Sequence, residues 1–169
     1  MWLVVIVSLV ILVVVYYFFI KNKQYKVEGD DFSYKSKDFL LSKTERSVYE
    51  TLCHYINHKK LRLKVFPKMR LTDFLWSPKD NRNAYLRISG KFVDFLIVDK
   101  IGLKPVVAIF IMNKDNRSKV LSLDIIEPAL NNADIELIKI DSDIVFDERK
   151  IIDIIDSKLK EVCNNDNKE

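Results

Sequence analysis

The chain has 169 residues, 49% of them hydrophobic and 31% charged, with a formal net charge of +4. This apolar content excludes a disordered polymer, and with only 3 glycines and 4 prolines there is no low-complexity tract. Two cysteines, Cys53 and Cys163, cannot build a disulfide framework, and the small net charge does not by itself commit the chain to a polyanionic partner.

Residues 2–20, WLVVIVSLVILVVVYYFFI, form an unbroken apolar run in which Ser8 is the polar exception, and Lys21 is the first charged side chain. A helix of that length measures roughly 28 Å, near the hydrocarbon thickness of a bilayer, and satisfies its backbone hydrogen bonds internally. A cleaved secretory signal would need small residues where Tyr16, Tyr17, Phe18, Phe19 and Ile20 stand. The aromatic cluster suits a membrane interface, and Lys21, Lys23 and Lys26 place the following chain in the cytoplasm. The expected organisation is therefore a transmembrane helix at 1–21, contacting lipid through 2–20, and a juxtamembrane linker at 22–37. One cytoplasmic domain at 38–163 and a tail at 164–169 follow.

Within LSKTERSVYETLCHYINHKK, Ser42 and Glu45 have capping-box spacing, and Val48, Leu52, Tyr55 and Ile56 recur with helical period. LKVFPKMRL predicts a strand in which Leu63, Val65 and Met69 alternate, and Pro78, Asn81 and Asn83 mark a turn-rich connection after it. Residues 92–98 and 106–112 are β-rich runs around a short Gly/Pro-containing turn, the pattern of a buried hairpin. A helix is expected near 118–133, interrupted by Pro128, then a strand at 135–140. A terminal helix opens after Asp147 and Glu148 and carries Ile151, Ile152, Ile155, Leu159 and Val162 on one face.

This order, with LLSKTE at 40–45, PKMRL at 67–71, VDFLI at 93–97 and LIKI at 137–140, resembles a bacterial domain family of unknown function. That family lies within the PD-(D/E)XK restriction-endonuclease-like superfamily, in the branch related to very-short-patch-repair nucleases. The resemblance covers about residues 38–160 and implies an α/β (α+β) domain with a central mixed sheet flanked by helices. It also implies carboxylates on adjacent strands that hold Mg²⁺ for phosphodiester hydrolysis. Asp94 matches the first acid of that pattern and Glu45 its helix-borne glutamate. Phe110 and Met112 stand where the second strand should carry acids, and no histidine follows in NKDNRSKV. A phenyl ring or a thioether cannot replace an oxygen ligand of a hard cation, so the site is expected to be degenerate, without a cofactor. Two alternatives stay open for Asp94. It is a structural acid bonded to a backbone amide or to a base such as Lys91 or Lys114, or it belongs to a metal site rebuilt with Asp124 or Glu127.

His54 and His58 lie one helical turn apart beside Cys53, but a zinc site needs further ligands and Cys53 points about 100° away. Residues 51–72 contain no acid and include Lys59, Lys60, Arg62, Lys64, Lys68 and Arg70, a run suited to phosphates of DNA or lipid. The same run also suits an ordinary solvated strand face. By contrast, residues 141–169 carry nine acids against five bases. The expected function is a catalytically inactive, nuclease-like interaction subunit of a membrane-bound assembly of secretion, conjugation or DNA-uptake type, in the bacterial inner membrane, with other proteins of that assembly as partners. The alternative is a membrane-tethered DNA-binding protein or Mg²⁺-dependent nuclease.

Overall fold

The computed structural model describes residue 2 and residues 10–16, 34–77, 81–113 and 115–166, with side chains of the last helix described to residue 159. The chain divides into two compact units, Met1–Asp38 and Phe39–Glu169. In the first unit, residues 10–16 are helical and exposed, while most of the expected span and of the 22–37 linker lies outside the described residues. Among the described residues, no helix is long and apolar enough to cross a membrane.

The second unit has α+β architecture. Its elements are α1 (Lys43–His58), β1 (Leu63–Arg70), α2 (Leu71–Phe74), α3 (Arg82–Ile88), β2 (Phe92–Asp99), β3 (Pro105–Met112), α4 (Arg117–Asn131), β4 (Glu136–Asp141) and α5 (Glu148–Asp166), with a 3-10 turn at Ser142–Ile144. The sheet order is β1-β2-β3-β4; the first two pairings are antiparallel and β3–β4 is parallel. A parallel neighbour requires a crossover, which α4 supplies.

The sheet separates two apolar cores. On one face, Val48, Leu52 and Ile56 of α1 and Ile151, Ile155 and Leu159 of α5 cover Phe95, Ile97, Ile109 and Ile138. On the other, Leu71, Ile88 and the α4 residues Leu123, Ile126 and Leu130 cover Leu96, Val98, Ala108 and Phe110. Burial on both faces explains why β2 and β3 read as continuous apolar runs rather than alternating ones. Each fully buried large side chain contributes about 1.5–3 kcal/mol.

Three local expectations change. The connection after β1 is partly helical, with α2 and α3 in place of a plain loop. Helix α4 runs through Pro128 rather than breaking there: the proline offers no N–H to the preceding turn, but its own carbonyl accepts from Asn132 N–H at 3.0 Å. Alternation in β1 fails at Lys68. Leu63 and Val65 pack on the first core as expected, but Met69 packs on the second. The cause is a left-handed backbone at Lys68, φ 55°, which turns the strand over; Val93, paired with Met69, faces the second core too.

Candidate functional site

At the end of the sheet where β2 begins, β2 and β3 part, while β1 stays paired with β2 and β3 stays paired with β4 out to Met112–Asp141. The β1–β2 ladder pairs Pro67 with Phe95 and Met69 with Val93, bracketing Lys68 and Asp94. The β2–β3 ladder starts only at Phe95–Ile109. Beyond that point the N–H of Ile111 needs another acceptor, and the Asp94 carboxylate takes it at 2.7 Å through Oδ2.

Asp94 has 0% exposure and is the one buried charged side chain among the described residues. Its neutralisation comes from two lysines. Lys119, in the first turn of α4, places Nζ 2.8 Å from Oδ2 and 3.0 Å from Oδ1. Lys68 places Nζ 3.5 Å from Oδ1 and also donates to Glu45 Oε1. Glu45 in turn completes the α1 capping box: its Oε2 accepts from Ser42 N–H at 2.9 Å, and its own N–H donates to Ser42 Oγ at 3.3 Å. Burial alone would raise the Glu45 pKa, but the hydrogen bonds from Lys68 and Ser42 outweigh it and hold the carboxyl below its ordinary range. The chain Glu45–Lys68–Asp94–Lys119 thus ties α1, β1, β2 and α4 together, with formal charges that cancel.

Aromatic faces support both ammonium groups. Lys119 Nζ lies 4.8 Å from the centroid of the Phe110 ring, and Lys68 Nζ lies 5.2 Å from that of Phe92. A pocket of about 340 Å³ opens over the cluster, lined by Ser42, Glu45, Lys68, Asn116, Lys119 and Ser142 among others.

The structure thus brings together the two candidate acids, Asp94 and Glu45, through Lys68. Asp124 is exposed, and Glu127 is engaged by Lys139 Nζ at 2.7 and 2.8 Å. The ammonium groups on Asp94 belong to Lys119 and Lys68; Lys114 lies outside the described residues. Of the basic run, Lys59 and Lys60 sit in the turn after α1, Arg62, Lys64 and Arg70 are exposed, and Lys68 turns into the cluster. His54 Nδ1 lies 2.9 Å from Glu148 Oε1, and the His54 and His58 ring centroids are 6.2 Å apart. Among the described residues, no group of three or more His, Cys, Asp or Glu side chains is arranged to hold a metal ion.

Sequence reasoning missed Lys119. The available signal was a helix start, Asn116-Arg117-Ser118-Lys119, with two bases and no acid in its first turn. A cation there opposes the helix dipole and needs a compensating anion.

A divalent ion at this site would find its oxygen donors already engaged. Both Asp94 oxygens accept from Lys119 and one also from Ile111, Glu45 is held by Ser42 and Lys68, and β3 offers a phenyl ring and a thioether. The donor set as it stands does not fit Mg²⁺.

No curated protein and no solved structure matches the chain. A family model described as a protein of unknown function (DUF2726) matches residues 37–159, and the chain belongs to that family.

Proposed function

We propose that the chain is a membrane-anchored protein whose 37–159 domain keeps a nuclease-like scaffold, has lost cation-dependent hydrolysis, and serves as an interaction subunit of a bacterial membrane assembly. The closure of the Asp94 carboxylate by Lys119, Lys68 and the Ile111 N–H is the observation that carries the loss of chemistry. The sheet order β1-β2-β3-β4, with an antiparallel hairpin, a crossover helix and a parallel last strand, supports a PD-(D/E)XK-like ancestry. So does the place of Asp94 near the start of β2, just before its ladder to β3 begins. The apolar run 2–20 supports the anchor, and permanent tethering favours a role in an assembly sited at the membrane.

Two measurements on the full chain purified in mild detergent test this reading. DNA incubated with the protein and Mg²⁺ or Mn²⁺ should remain intact; cutting that Asp94→Asn abolishes would establish the nuclease alternative. Gentle extraction from the native membrane should recover the chain with companion proteins, and recovery only as a lone monomer counts against a subunit role. DNA binding without cutting, with a steep salt dependence, would instead assign the exposed Arg62, Lys64 and Arg70 to phosphate contacts.

A further inference from the structure

We infer that the outer face of the α3–α4 layer docks on an anionic bilayer surface, seating Trp76, Tyr85, Leu86 and Leu121 among the headgroups and Arg82 and Arg87 on their phosphates. This deepens the proposed function and rests on it for the membrane anchor alone.

The two helical layers over the sheet differ in what they show to solvent. Among the described residues, every exposed side chain of α1 and of α5 is polar, from Lys43 to His58 on the first and from Glu148 to Ser157 on the second. On the other layer, α3 exposes Tyr85 and Leu86, α4 exposes Val120 and Leu121, and the connection before α3 exposes Trp76 to 81%. These side chains are surplus to the core. Helices α3 and α4 pack against each other, and Ile88, Leu123, Ile126 and Leu130 already supply their inward apolar faces. Lone exposed leucines are ordinary, but an apolar group confined to one layer marks an interaction surface.

The charges beside this group are cationic. Residues 81–93 carry Arg82, Arg87 and Lys91 and no acid. Arg82 lies one turn before Tyr85 and Leu86, on their side of α3. Among the described residues, no carboxylate pairs with Arg82 or Arg87, whereas Arg46 is held by Glu50 on α1 and Lys150 by Asp147 beside α5. On α4 the exposed Arg117 and Asp124 offset each other. Guanidinium groups match phosphate geometry, and Trp and Tyr join an apolar body to a polar tip, the combination that suits headgroup depth.

Reach selects lipid as the occupant. Residues 21–38 lie between the apolar run and the domain and span at most about 65 Å fully extended. The anchor therefore keeps the bilayer permanently within range, so a contact too weak to form in free solution forms on the tether. The tether leaves the choice of face open, and Trp76, Tyr85, Leu86 and their arginines make it.

The test uses the full chain carrying Trp2→Phe, in which Trp76 is the remaining tryptophan. It is reconstituted into vesicles of phosphatidylcholine and phosphatidylglycerol, with or without acyl chains brominated next to the headgroup. Brominated lipid should quench Trp76 emission. Tyr85→Ser/Leu86→Ser should reduce the quenching severalfold, and Arg82→Glu/Arg87→Glu, or vesicles of phosphatidylcholine alone, should reduce it as well. All four substituted positions are exposed, so the thermal midpoint should hold. Unquenched Trp76 in a chain that floats with the vesicles after an alkaline wash overturns the inference alone and leaves this face to a protein. Quenching that survives both double variants overturns it too. A chain that the alkaline wash strips from the vesicles sinks the anchor and the inference together.

Discussion

Strand β2 carries two aspartates five residues apart, and their surroundings are opposites. Asp99, at its exposed end, is held by its own turn: Oδ2 accepts from Gly102 N–H at 2.6 Å and from Ile101 N–H at 2.9 Å. The Gly102 bond is the main reason its pKa sits below the ordinary carboxylate range. Asp94, at the buried end, takes partners 17, 25 and 26 residues away, from β3, α4 and β1. One acid shapes a hairpin, and the other closes a tertiary junction. The same residue type on the same strand therefore serves local geometry at one end and long-range charge balance at the other, with burial deciding which.

The contrast breaks most visibly at Asp94. Asp94→Ala strands the Lys119 charge and the Ile111 N–H in a buried site, and urea unfolding should show a loss of about 3–5 kcal/mol, the range for removing one partner of a buried ion pair. A smaller loss would mean that Lys119 escapes to solvent when its partner goes. Next is Lys68. Lys68→Gly and Lys68→Ala both delete the ammonium, but glycine accepts φ 55°, so the glycine variant should be more stable than the alanine variant by about 1 kcal/mol. Equal stabilities would show that the left-handed backbone depends on the ammonium itself.

Ser42→Ala removes the hydroxyl half of the capping box and should cost about 1 kcal/mol by the same assay. The pH dependence sharpens the comparison further. The Glu45 carboxyl has a lower pKa folded than unfolded, so the unfolded chain binds more protons between the two values. Its stabilising contribution is complete above the ordinary glutamate range and is lost as pH falls through that range towards the depressed value. Glu45→Gln should flatten the stability profile in that acidic window. The smallest effect belongs to Asp99→Ala, whose carboxylate is exposed and replaceable by water; its unfolding midpoint should move least of all the variants.

These differences track what local sequence can encode. The capping box of Ser42 and Glu45, the hairpin around Gly102 and the apolar stripes of α1 and α5 are written within a few residues of chain, and each was legible as spacing or periodicity. Alternation in β1 was legible up to Phe66 and lost at Lys68, because the strand takes a left-handed backbone there that no propensity would assign to lysine, with the side chain reaching Glu45 and Asp94. Asp94 and Glu45 were legible as acids of a family pattern, but Lys119 was not.

The sequence alone determined the four strands and the helices α1, α4 and α5, because strand-length apolar runs between turn residues and a helical period of 3.6 mark them, and it marked Phe110 and Met112 as unable to hold a hard cation. Only the tertiary structure decided what balances Asp94. A buried carboxylate must find positive charge, and which of 28 lysines and arginines supplies it depends on where the parted ends of β2 and β3 and the first turn of α4 meet in space.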